Sequence, residues 1–200
     1  MTCLNPDLQL NHTPGHVKHD GHNMTGFVIF LCSESVIFLA FFAGYAVLKL
    51  TAPQWLPDGV EGLEVRMPLI NSVVLVSSSF VAYAAERHLH KGNLWGFRAV
   101  WFLTMAMGSY FVYGQYVEWS GRSFSLSSGG CRGMFYLLTG FHGLHVITGI
   151  LLMALMLVRS FPVDNYAKGE MGVASVSLFW HFVDVIWIIL FVLIYVWQRY

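Results

Sequence analysis

The sequence predicts an all-α integral membrane protein, a bundle of five transmembrane helices. Three observations carry that expectation. Of the 200 residues, 56% are hydrophobic and 11% charged, with a mean hydropathy of +0.59, whereas soluble domains carry about 25% charged residues. The stretches 26–48, 68–85, 94–117, 133–158 and 173–197 each approach the ~20 apolar residues that cross ~30 Å of hydrocarbon at ~1.5 Å per residue. All connections but the first are short, which makes sequential neighbours antiparallel in an up-and-down bundle.

Residues 1–25 form a polar N-terminal tail ahead of a single five-helix domain, 26–200. The tail holds His12, His16, His19 and His22 among Asn, Pro and Gly, the composition of a flexible arm. Without a cysteine cluster or a fixed scaffold, these histidines make a poor metal site. The tail has no apolar core followed by a small-residue cleavage site, so no signal peptide is expected and the first span directs insertion. That span carries no charged residue except Glu34. Residues 51–67, with Pro53, Pro57 and Gly59 beside Asp58, Glu61 and Glu64, read as a loop outside the bilayer.

The second span reads as the weakest, diluted by Asn71 and Ser77-Ser78-Ser79, although small hydroxyl residues suit close helix packing in lipid. In the third, Trp95 and Trp119 fall near the span ends as aromatic anchors do, with Trp55, Trp197 and Tyr200 near other ends, while Trp101 and Trp187 lie deeper. Gly133, Gly140 and Gly143 flatten one side of the fourth span for close helix approach. Met105, Met107, Met153 and Met156 read as core or lipid-facing filler, since no His–Cys–Met cluster accompanies them. Asp184 interrupts the fifth span.

An odd number of spans puts the termini on opposite sides. Lys18, Arg87, Lys91, Arg98, Arg159 and Lys168 gather on the N-terminal side against Lys49, Arg66, Arg122, Arg132 and Arg199 on the other, and this margin of six to five favours a cytoplasmic N-terminus. Zero net charge without a basic block excludes nucleic acid as a partner class. Cys3, Cys32 and Cys131 lack C-x-x-C spacing, which argues against a disulfide framework or an iron–sulfur or binuclear copper centre. Cys32 reads as a small packing residue.

The chemistry lies inside the membrane. A charge at bilayer depth costs roughly 2.5–3.5 kcal/mol on insertion scales, so intramembrane acids face partners or water and are functional candidates. Glu34, His142, His145, His181 and Asp184 share one depth band, about 10–20 Å from their span entrances. They are expected to form an internal polar layer in which imidazoles and carboxylates satisfy one another. Three readings fit such a layer: redox-metal ligation, for which the Glu-x-x-His pattern on two helices is absent; a proton-coupled transporter, for which no inverted repeat or pair of broken helices is evident; and interhelical hydrogen bonding. Periodicity leaves all three open.

Longer motifs go further. Phe30-Leu31-Cys32-Ser33-Glu34-Ser35-Val36-Ile37-Phe38, then Thr139-Gly140-Phe141-His142-Gly143-Leu144-His145-Val146-Ile147-Thr148-Gly149, then Phe179-Trp180-His181-Phe182-Val183-Asp184-Val185-Ile186-Trp187 resemble, in the same order, subunit III of the haem–copper respiratory oxidases. Pro68-Leu69-Ile70-Asn71 and Gln115-Tyr116-Val117-Glu118-Trp119 extend the resemblance, which runs from about residue 26 to the C-terminus. It is the shorter, five-helix form of that family that the chain is similar to. The resemblance implies an integral, cofactor-free subunit of a proton-pumping terminal oxidase, packed on subunits I and II, which carry the haems and copper. Electrons would reach the complex from cytochrome c or another donor; the Ser-Glu of the first block and the Phe before His142 look more like the cytochrome c class than the quinol class. Glu34 matches the family's carbodiimide-reactive carboxylate, and Arg159 a phospholipid-headgroup arginine. A support role in complex stability and proton uptake follows, in a bacterial plasma membrane or another energy-transducing membrane.

Overall fold

The computed structural model describes residues 20–51, 65–121, 130–162 and 170–197. Five helices follow one another: α1 (Asp20–Thr51), α2 (Arg66–His90), α3 (Leu94–Ser120), α4 (Gly130–Arg159) and α5 (Glu170–Phe191), the last continued by a π-helical turn, Val192–Val196. No strand occurs among the described residues. α1, α2 and α4 outrun their predicted apolar stretches at both ends and α3 at its C-terminal end, since backbone hydrogen bonding continues past the hydrocarbon boundary, whereas α5 starts early but gives way to the π-helical turn at Val192. α1 accordingly starts at Asp20, inside the predicted tail, and ends at Thr51. His12, His16 and His19, the body of the predicted 51–67 loop, and Cys3, Trp55 and Tyr200 lie outside the described residues.

Four helices are long and apolar enough to cross a membrane: α1, α2, α4 and α5. The sequence reading made α2 the weakest span, yet α2 is among these four and α3 is not. With 27 residues α3 has the length; Arg98, Tyr110, Tyr113, Gln115 and Tyr116 dilute its apolar content.

Local chemistry sets the ends. Gly92 turns the chain between α2 and α3 at φ 71°, in the left-handed region that glycine enters without a Cβ clash. Asn93 then caps α3, its side chain accepting from Gly96 N at 3.0 Å. Arg98 on α3 donates from Nε to Ser160 Oγ at 3.0 Å and also to the Ser160 carbonyl, with its guanidinium over Phe161. It thereby satisfies the end of α4, where helix carbonyls have no partner of their own.

α2 packs against α3 and α5, α4 lies between α3 and α5, and α1 rests on α4 and α5. α5 is the central helix, which buries Trp180, Val183, Trp187 and Leu190. Of the glycines expected to allow close approach, Gly140 does so, a Cβ there falling 3.1 Å from the Trp119 ring of α3, but the tightest contacts are made by other glycines. A Cβ at Gly143 would meet no described atom within 4 Å, whereas at Gly149 it would fall 2.8 Å from the Trp180 ring and at Gly108 2.5 Å from the ring's far edge. Trp180 is therefore clamped between α3 and α4. Of the methionines, Met153 is fully buried in the core. Cys32, read as a packing residue, is exposed on α1: that helix touches its neighbours along one narrow stripe, and Cys32 lies off it.

Candidate functional site: an intramembrane polar band

The five ionisable residues occupy one level, but they separate into two clusters and a lone imidazole. In the first cluster, at the α1–α4 contact, His145 Nε2 lies 3.2 Å from Glu34 Oε2, with side-chain exposures of 11% and 17%. His145 Nδ1 is 2.9 Å from the Phe141 carbonyl, which can only accept, so Nδ1 carries a hydrogen. Nε2 is then the ring nitrogen that faces the Glu34 carboxyl group. Phe38 and Phe141 meet the imidazole edge-on at 5.0 and 4.8 Å, and Phe179 stacks on it at 6.2 Å. Such an apolar cage keeps water from one side of the pair and leaves Glu34 at the rim of the bundle.

The second cluster joins α2 and α5. Ser79 donates its hydroxyl to Asp184 Oδ2 and accepts from His181 Nδ1 at 2.9 Å; His181 Nε2 is 3.5 Å from Ser177 Oγ. A hydroxyl has one proton, so with Ser79 donating to Asp184 the imidazole must donate at Nδ1. Two indoles continue the seam: Trp180 Nε1 donates to Ser78 Oγ at 2.9 Å and Trp187 Nε1 to Ser72 Oγ at 2.8 Å. Asp184 Oδ1 has no hydrogen-bond partner among the described residues.

His142 is fully buried and stands apart. Neither ring nitrogen has a hydrogen-bond partner among the described residues. Its ring lies against Trp187 at 5.0 Å and meets Phe111 edge-on at 5.8 Å. The expected layer, in which all five groups satisfy one another, is thus corrected: three residues apart on α4, His142 and His145 diverge by about 60° around the helix axis, enough to send one into the core and the other toward α1.

Toward the far end of the bundle, Tyr195 donates to Glu118 Oε1 at 2.8 Å, tying α5 to α3, and Lys49 donates to the Trp197 carbonyl with its ammonium over the indole ring. Arg159 closes α4 and is exposed. Among the described residues no three His, Cys, Asp or Glu side chains converge as metal ligands would.

Sequence reasoning missed the hydroxyl side of the second cluster. Ser78 falls on the buried face of α2 with Leu75, Ala82 and Ala85, Ser72 and Ser79 lie half-buried beside it, and Trp180, Asp184 and Trp187 recur at i, i+4, i+7 on α5. These matching periods were the available signal.

The family model described as cytochrome c oxidase subunit III matches residues 5–199. Among curated relatives, the cytochrome c oxidase subunit 3 of Synechocystis sp. is 40% identical over 199 residues, covering 97% of this chain and 85% of the relative. That of Thermostichus vulcanus is 41% identical over 184 residues, 92% of this chain and 91% of the relative. A mammalian counterpart, from Dugong dugon, is 35% identical over 196 residues, 95% of this chain and 74% of the relative.

Proposed function

Because the chain belongs to the cytochrome c oxidase subunit III family, we propose that it acts as a cofactor-free, non-catalytic support of an oxygen-reducing, proton-translocating oxidase. In this reading the chain packs on subunits I and II, which hold the haems and copper and receive electrons from cytochrome c. It stabilises the complex, retains phospholipids through Arg159 and sustains proton uptake. The membrane is a bacterial plasma membrane or another energy-transducing membrane, with the N-terminus on the cytoplasmic side.

The observation that carries the proposal is the Glu34–His145 pair. It lies at the edge of the bundle, with one face against aromatic rings and a carboxyl at the rim, a geometry that supports a proton-related role for Glu34. Glu34 holds or releases a proton there while the Phe141 carbonyl fixes the imidazole tautomer. His181, Asp184 and the α2 serines lock α5 to α2, and His142 fills the core beside Trp187. These are structural tasks.

Glu34→Gln in the assembled oxidase tests the division of roles. An amide is nearly isosteric with the acid and avoids the desolvation of a charge. Assembly and haem content should be unchanged, while labelling by a hydrophobic carbodiimide disappears from α1. Loss of haem, or failure to assemble, would mean that Glu34 is a structural member of the bundle and would contradict the reading.

A further inference from the structure

α3 lies against α2 and α4, both apolar enough to cross a membrane, and crosses with them although it is less apolar itself. Its two halves differ on the outward side. The first exposes Ala99, Phe102, Leu103 and Ala106, as a lipid-facing helix would, whereas the second exposes Ser109, Tyr110, Tyr113 and Tyr116. The three tyrosines are 48%, 64% and 66% exposed, and none of their hydroxyl groups bonds to a described residue.

Depth makes those hydroxyls costly. The 27 residues of α3 have their midpoint at Met107. At ~1.5 Å per residue Tyr110 stands about 5 Å and Tyr113 about 9 Å past it, both within a hydrocarbon layer that reaches ~15 Å to either side. Helical Cα–Cβ bonds tilt toward the N-terminus, and for these two residues that direction leads to the bilayer centre rather than to the nearer surface. A hydroxyl without a partner is penalised there, since acyl chains accept no hydrogen bond.

Beside the phenols, a groove of about 560 Å³ opens between the first turns of α2 and the last turns of α3, lined by Asn71, Tyr110 and Tyr113 among others. Asn71 is only 6% exposed, and its carboxamide has no hydrogen-bond partner among the described residues. Gly114 leaves it room, since a Cβ there would collide with the Asn71 side chain. The amide thus lies along α3 with its donors and acceptor unused.

We propose that the second half of α3, together with the Asn71 groove, is the docking face for a transmembrane helix of a neighbouring oxidase subunit, one that presents Ser, Thr, Asn or Gln side chains to the phenols and the amide. Interhelical hydrogen bonds of that kind satisfy polar groups inside a membrane. A second copy of this chain fits less well, because in a self-matched pair of phenols one hydrogen is left without an acceptor. The face is on the flank away from α1, which rests on α4 and α5, so it is separate from the Glu34–His145 pair. The inference rests on the reading of the chain as one subunit of an oxidase and names a face that this reading leaves open.

The test uses the assembled oxidase with photoreactive benzoylphenylalanine in place of Tyr113, and adducts mapped after illumination. The adduct is expected on a membrane-spanning peptide of another subunit. In a second arm, Tyr110→Phe combined with Tyr113→Phe removes two hydroxyls and keeps the rings, at exposed positions where the fold of this chain is not at stake. The dissociation constant of the cross-linked subunit in detergent should rise about threefold for each hydroxyl lost. A lipid-facing surface predicts the reverse, since Phe suits hydrocarbon better than Tyr. Adducts confined to lipid, to another segment of this chain or to a second copy, or a dissociation constant unmoved by the paired substitution, would overturn the proposal while leaving the chain in its oxidase. A chain that purifies without haem or partner subunits would overturn the supportive reading itself, and this inference with it.

Discussion

Gly149→Ala is expected to loosen the bundle far more than one methyl group normally would. The added Cβ lies 2.8 and 3.0 Å from two atoms of the Trp180 ring and 3.4 Å from Phe179, against ordinary contacts of 3.4–4 Å. The indole would have to move by roughly 0.5–1 Å, and on its far side the Cη2 atom already occupies the space where a Gly108 side chain would begin. Overpacking of this kind costs about 1–3 kcal/mol, and a clamp on both sides places the value near the top. Moving the ring also stretches the 2.9 Å bond from Nε1 to Ser78, worth about 1 kcal/mol, so the total approaches ~3–4 kcal/mol. Gly143→Ala is the internal control: no described atom lies within 4 Å, and replacing a helical glycine by alanine should be neutral or stabilise by up to ~1 kcal/mol. Thermal unfolding of the oxidase, followed by release of this chain, measures both. Equal effects of the two substitutions, or a mild one at Gly149, would refute the clamp.

Three further outcomes follow from the polar band. Ser79→Ala removes the only described partner of Asp184 and the acceptor of His181 Nδ1, so it should destabilise by about 1–3 kcal/mol in the same melting assay, with haem content unchanged. His142→Phe replaces a fully buried ring that has no described hydrogen-bond partner with an apolar ring that can keep the packing on Trp187; it should be neutral or stabilising by about 1 kcal/mol, since unsatisfied polar groups are what burial penalises. Metal analysis of the separated chain should find no stoichiometric, tightly held transition metal, because its histidines and cysteines lack an open-site ligand set.

What the sequence disclosed depended on whether a property belonged to one helix or to two. The apolar runs around Glu34 and Asp184 located the spans, since hydropathy is a property of a single segment. The depth band also follows from counting rises along each helix. Rotation about the axis does not. Gly143 and Gly149 are chemically identical and less than two turns apart, yet only the second faces Trp180, and the serines of α2 looked like dilution until the indoles and carboxylate of α5 came opposite them. The Glu34–His145 contact spans 111 positions of sequence; each residue was singled out by its insertion cost, but their pairing is set by how α1 rests on α4. α3 shows the limit of reading apolarity from residue type: its tyrosines look membrane-compatible but carry hydroxyl groups, and with Arg98 and Gln115 these make it less apolar than its length indicates.

The central claim is that this chain sustains an oxidase without taking part in its chemistry. Time courses of oxygen consumption by the complex with and without the chain, compared at matched haem content, test it most directly. Initial turnover should be preserved when the chain is removed, and activity should then decay faster over successive cycles, as bound lipid and proton supply near the exposed face of the partner are lost. A complex inactive from the first turnover, or one whose decay is unchanged, would contradict the account.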